Sequence, residues 1–255
     1  MTIETSQALT FMLIMVRMVG MLVLNPIFGR ANVPSMVNAG IAMVMSIMLI
    51  GVVPEAPVAD PMIFPLLILM AKELLLGFVT GLLLRMFLAI IVVGGETIDM
   101  QMGISMSKAF DPGSNTSISV SASIMNVMFL LIFFGTNNHL TFFKLITNTF
   151  YILPVGGTWL NFDGFYYLPE LLSVILIFAV KLALPVIVIE IITSMAVGII
   201  MRIIPQINVF VVNIQFKLLI GIFLLYVLVA PMTGYFESLI ELCFEYLHEA
   251  WMAFL

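Results

Sequence analysis

The sequence predicts an all-α, membrane-associated protein, and three observations lead there. First, 63% of its 255 residues are hydrophobic and 9% are charged, whereas a soluble domain carries about 45–50% apolar and about 25% charged residues. One soluble globule of this length has no interior large enough to hide the surplus. Second, the apolar residues are gathered into runs near 8–24, 36–53, 62–95, 118–134, 139–153, 171–204, 207–230 and 236–255. Several of these approach the roughly 20 residues that a membrane-spanning helix needs, and others do not. Third, the runs are separated by turn chemistry: Asn25-Pro26, Val33-Pro34, Pro54 with Pro57 and Pro61, Gly135 to Asn138, and Pro154 to Gly157. With no soluble-type linker and no internal repeat, 1–255 is read as one helical domain.

Composition excludes several functions. Nine Lys plus Arg against 14 Asp plus Glu give a net charge of −5, which leaves no basic stripe to neutralise nucleic-acid phosphates. Cys243 is the single cysteine, so an intramolecular disulfide and a multi-cysteine metal site are impossible. His139 and His248 stand alone, and His248-Glu249 is followed by Met252 where a zincin needs histidine. No metal and no cofactor is expected. No nucleophile and base can be placed together, so the chain is not read as an enzyme.

Taken in order, the first run follows a segment with Glu4 where a cleaved secretory signal carries Lys or Arg, and it is expected to be retained. The run at 62–95, helical throughout, would measure about 50 Å against a hydrocarbon core of about 30 Å. That is too long for one span and too short for two. Inside it, Gly77-Phe-Val-Thr-Gly81 has the small-xxx-small spacing that lets another backbone approach closely, and ordinary close packing is the preferred reading. The run at 171–204 repeats the length problem, with Pro185 removing an N–H and freeing the carbonyl of Lys181. Both runs are candidates for kinked or paired helices.

Charge energetics agree. Arg17, Lys72, Glu73, Arg85, Lys181 and Glu190 lie inside apolar runs, where a charge at a lipid-facing helix centre costs about 2.5–3.5 kcal/mol and a Leu or Ile returns only about 0.3–0.6 kcal/mol. These groups must face protein, water or the membrane surface. Lys181 and Glu190 are read as a buried or interfacial structural pair in preference to a proton relay, because no line of histidines or carboxylates accompanies them. In the last run, Glu237, Glu241, Glu245 and Glu249 recur every four residues, with Phe236, Leu239, Ile240, Cys243, Leu247 and Trp251 available for an apolar face. This predicts an acidic amphipathic C-terminal helix at 236–255. A solvated face and a contact with a basic partner surface explain it equally well.

Between the third and fourth runs lies a weakly apolar block, which with the serines that follow occupies 94–123. Asp111-Pro112-Gly113-Ser114 is predicted to turn, because proline fixes its own φ and biases Asp111 away from helix. Ser117, Ser119, Ser121 and Ser123 alternate with apolar residues, which suits an extended segment, yet they also stack on one helical face. Both conformations stay open. Glu96 and Asp99 share a helical face, as do Met102 and Met106.

Here a set of residues spread over most of the chain carries a resemblance: Asn25-Pro-Ile-Phe28 with Val33-Pro34, Gly95-Glu96, Gln101-Met-Gly103, Ser105, Asp111-Pro112, Asn138-His-Leu140, Leu153-Pro-Val-Gly-Gly157, and Pro205-Gln206 with Asn208-Val-Phe210. Together they resemble FliR, the R subunit of the flagellar type III export gate, and its injectisome counterparts. The resemblance implies hydrophobic helical hairpins wound around a pore with the P and Q subunits, and contact with the B-type switch subunit. It implies a gate at the bacterial inner membrane, at the base of the basal body, that passes unfolded flagellar or secreted proteins as cargo. Much of such an assembly stands above the membrane plane, which would explain runs that fit a bilayer poorly. Gly77 and Gly81 would then be open to packing against P or Q.

The resemblance also implies that the loop after Gln-Met-Gly helps close the pore. Here that loop is the stretch from about Met106 to Ser123, and the residues read as closing the pore are Met102, just before it, with Met106, Phe110, Asp111, Pro112 and Gly113. Methionine adapts its shape and phenylalanine fills space, so the residues suit a deformable seal that excludes water without catalysis. Core packing is the plain alternative for Met102, Met106 and Phe110. Asp99 departs from the pattern, which has a small or apolar residue there. The rival function is a secondary transporter of a small solute, with Pro185 breaking a helix near Lys181 and Glu190 to form a midplane site.

Overall fold

The computed structural model describes residues 5–27, 34–54, 63–105, 119–157, 167–203 and 209–254. Among these, all regular structure is helical. The helices are α1 (Thr5–Leu24), α2 (Ser35–Ile50), α3 (Ile63–Met102), α4 (Val120–Gly135), α5 (Asn138–Ile152), α6 (Tyr167–Ile203) and α7 (Val209–Met252). Four of them, α1, α3, α6 and α7, are long and apolar enough to cross a membrane. The all-α membrane class read from composition is the class observed.

Three expected boundaries move. Helix α3 has 40 residues and runs through Gly94-Gly95 to Met102, so the first third of the weakly apolar block is helical. The runs at 207–230 and 236–255 form the single 44-residue helix α7, with Pro231 inside it. The separate C-terminal helix expected at 236–255 is therefore the last part of α7. Helix α6 likewise continues through Pro185 for 37 residues and is neither a pair nor a broken span. An interior proline costs about 3 kcal/mol, and nearby side-chain burial offsets it. Leu182, Ala183 and Val186 are buried around Pro185, and Met232, Phe236 and Leu239 follow Pro231. The Tyr235 hydroxyl also donates to the Phe178 carbonyl at 2.6 Å, tying α7 to α6 just past the proline.

Helices α4 and α5, of 16 and 15 residues, are each too short to span alone. The turn between them places Asn137 at φ 59°, a left-handed conformation that asparagine tolerates better than most residues. The open question at the start of α4 resolves as helix for Ser121 and Ser123.

The chain forms two compact units, each assembled from separated stretches. One comprises Met1–Leu88, Thr136–Leu171 and Ile240–Leu255, and the other Ala89–Gly135 and Leu172–Leu239. Three of the four divisions fall inside α3, α6 and α7 and the fourth lies between α4 and α5, so no single cut of the chain releases either unit. In the first, Leu13, Met18, Leu76, Phe87, Phe142, Phe150, Leu247 and Trp251 build the core. Trp251 donates its indole N–H to the Thr80 hydroxyl at 3.1 Å, and Phe142 stacks on Phe244 at 6.4 Å between ring centroids. In the second, Phe129 meets Phe236 edge-on at 6.1 Å, within a core that includes Ile98, Met102, Met125 and Val186.

Candidate functional site: a buried ion-pair lock and the root of the central block

In the first unit, α1 and α3 touch at their glycines. A Cβ at Gly20 would lie 2.5 Å from the Leu74 carbonyl oxygen, and one at Gly81 would lie 2.5 Å from that of Met21. At Gly77 it would collide with the backbone of Arg17 and Met21. Close backbone approach is what the Gly77/Gly81 spacing suggested, and the surface met is this chain's own α1 rather than a sister subunit.

That approach brings together two charges 56 positions apart. The Arg17 Nε donates to Glu73 Oε2 at 2.5 Å, and its Nη2 donates to the Leu153 carbonyl at 3.0 Å. The guanidinium lies 4.3 Å from the centre of the Phe150 ring. The other carboxylate oxygen, Glu73 Oε1, accepts the Gly156 N–H at 3.1 Å. Gly156 has φ 73°, a conformation costly for any side-chain-bearing residue, so glycine is needed there. Arg17 and Glu73 are 4% and 1% exposed, deep enough for the pair to require each other. The Leu153-Pro-Val-Gly-Gly157 segment is thus a strap tied to α1 and α3. Sequence reading flagged both charges but had no local signal to pair them. Lys72, next to Glu73, is half-buried.

In the second unit, the glycine pair of α3 serves a similar purpose. A Cβ at Gly94 would press on Leu182 of α6, and one at Gly95 would collide with Ala122 of α4. One turn later, Asp99 is fully buried and accepts the backbone N–H of Val120 at 2.8 Å and of Ser121 at 3.2 Å. Ser119 Oγ accepts the N–H of Ala122 at 3.1 Å. Between them these two side chains satisfy three of the N–H groups that a helix start leaves open, and the carboxylate sits at the positive end of the helix dipole. That accounts for the residue that departs from the family pattern. Glu96, expected on the same face, is exposed and takes no part.

Met102 is 0% exposed, and its side chain fills the space beside Gly221 of α7. Within this chain Met102 therefore packs against α7, as the core-packing alternative expects. Met106, Phe110, Asp111, Pro112 and Gly113 lie outside the described residues. The pair expected between Lys181 and Glu190 is not formed. Lys181 is exposed, with its Nζ 4.9 Å from the centre of the Phe178 ring one turn earlier, whereas Glu190 is fully buried. Nine positions along one helix separate them by about 13 Å. With α6 unbroken at Pro185, the broken-helix site that the transporter reading needs is also missing. On α7, Glu237, Glu241, Glu245 and Glu249 are exposed, while Phe236, Leu239, Ile240, Cys243, Leu247 and Trp251 are buried.

Comparison with known proteins identifies the lineage. Residues 8–243 match the family model of bacterial export proteins, family 1. The chain is 31% identical over 235 residues to the flagellar biosynthetic protein FliR of Escherichia coli (strain K12), covering 91% of this chain and 89% of that one. It is 28% identical over 249 residues to FliR of Aquifex aeolicus (strain VF5), covering 93% of each. FliR of Bacillus subtilis (strain 168) is 27% identical over 220 residues, covering 85% of each. With four membrane-length helices and this match along nearly its whole length, the chain belongs to the FliR family of bacterial export proteins and is a membrane component of the flagellar export apparatus.

Proposed function

We propose that this chain is a structural, pore-forming subunit of a type III protein export gate in the bacterial inner membrane, passing unfolded flagellar proteins as cargo. It acts without catalysis, and the energy for transport comes from elsewhere in the machine. The observation that carries the reading is the Asp99 cap: one buried carboxylate near the end of α3 holds the first residues of α4, so both ends of the intervening block are anchored on one unit. Anchored ends suit a segment that must return to one position after each passage of cargo. Phe110, Asp111, Pro112 and Gly113 are the residues we assign to closure, together with Met106 earlier in the same block.

The uncovered apolar surface supports an assembled gate. Within α7, 11% of the most apolar window is covered by the rest of the chain, against 56% for α3. The P and Q subunits are the partners we assign to that surface, with the B-type switch subunit as a further neighbour. The exposed acidic row of α7 is offered to a basic partner surface, where relief of like-charge repulsion at four-residue spacing favours docking. Deleting residues around Phe110 to Ser117 in the assembled gate is expected to make membranes leak ions, read as conductance or as dissipation of an ion gradient. Unchanged permeability would remove the pore assignment.

A further inference from the structure

Glu190 poses a problem that the export reading does not absorb. It is 0% exposed, and neither carboxylate oxygen has a hydrogen-bond partner. Neighbouring hydroxyls offer no help: Thr193 donates to the Ile189 carbonyl at 2.9 Å and Ser194 to the Glu190 carbonyl at 2.8 Å. The described charged groups of the same unit are Glu96, Asp99, Lys181, Arg202, Lys217 and Glu237. Of these, Lys217 of α7 is the one that acts on Glu190 electrostatically. The two do not form an ion pair, because the ion pair among the described residues is Arg17 with Glu73. One turn before Lys217, on the same face of α7, Asn213 also carries a buried oxygen without a donor.

An ionised carboxylate enclosed in apolar helices without a donor is among the costliest groups a protein can hold. Adding a proton removes most of that cost and turns one oxygen into a donor. We propose that Glu190 is a proton-binding site within the membrane helices: its carboxyl is neutral in the conformation seen here, and Lys217 is the cation that holds the carboxylate once the proton leaves to water. The site thus has two states, a neutral acid and a carboxylate paired with Lys217 between α6 and α7. This stands on the geometry of one unit and does not depend on the pore.

The test is infrared spectroscopy of the full chain, assembled with its sister subunits in native membranes at neutral pH, with ¹³C-labelled glutamate to mark the bands. A protonated-carboxyl stretch is expected in the native protein and is lost in Glu190→Gln, the neutral isostere, which assembles normally. In Glu190→Asp the glutamate-marked band is lost and a protonated-carboxyl band marked by ¹³C-labelled aspartate takes its place, which covers the case of a glutamine variant that fails to assemble. Absence of the band in the native protein, or a band indifferent to both substitutions, overturns the proposal. So does an amide cross-link from Glu190 to a lysine of a sister subunit after treatment with a water-soluble carbodiimide, since that outcome marks an ionised carboxylate paired across an interface.

Discussion

Glu73 and Glu190 lie in long apolar helices and are buried to the same extent, 1% and 0% exposed, yet their surroundings are opposite. Glu73 stands where α1, α3 and the strap after α5 converge, and two of those elements deliver a donor to it: Arg17 from one and the Gly156 N–H from the other. Glu190 has no donor at either oxygen. Burial alone therefore does not say what a membrane carboxylate is for. The number of donors around it decides whether it fixes a fold or remains free to change charge.

The largest expected effect comes from breaking the satisfied side of this contrast. Arg17→Ala leaves Glu73 buried without its cation and should cost about 3–5 kcal/mol, measured by equilibrium denaturation in detergent. Replacing both partners with apolar residues of similar volume should recover much of that loss, and failure to recover would mean that the pair does more than fix the fold. Next comes Gly77→Val, which drives a side chain into the α1 backbone and should cost about 1–3 kcal/mol or more, with weakened protection of α1 amides in hydrogen exchange. Asp99→Ala strips two N–H acceptors from the start of α4 and should cost about 0.5–2 kcal/mol, with faster exchange at Val120 and Ser121 while α1 is unaffected. The smallest effect sharpens the comparison from the other side. Glu190→Gln should change stability by less than about 0.5 kcal/mol if the carboxyl it replaces is neutral, as proposed, whereas Glu73→Gln should weaken the lock measurably.

Much of the architecture is legible without coordinates. The membrane class follows from composition, and the acidic and apolar residues of the last helix separate as their spacing indicates. The close approach at Gly77 and Gly81 is likewise announced by a four-residue interval of small side chains. Helix continuity is less legible. Pro185 looks like a break in a local reading, and the gap between the runs at 207–230 and 236–255 looks like another; both lie inside unbroken helices, with buried neighbours around Pro185 and after Pro231. The site is harder still. Met102 carries the same local signature as a pore methionine, and only the proximity of Gly221 shows that it is enclosed. Asp99 reads as an anomaly until Val120 and Ser121 are seen to need an acceptor.

By itself, the sequence determined that this protein is helical, that it cannot live alone in water, and that six charges in its apolar runs must be sheltered or held at a surface. Hydrophobic transfer and helical periodicity are local sums, and they can be evaluated residue by residue. Only the tertiary structure decided which shelter each charge received. Arg17 found Glu73 across 56 positions, Asp99 found a helix start 21 positions on, and Glu190 found no donor at all. Hydrogen bonds act over about 3 Å, so pairing depends on which backbones glycine lets approach, and that is settled by the packing of whole helices.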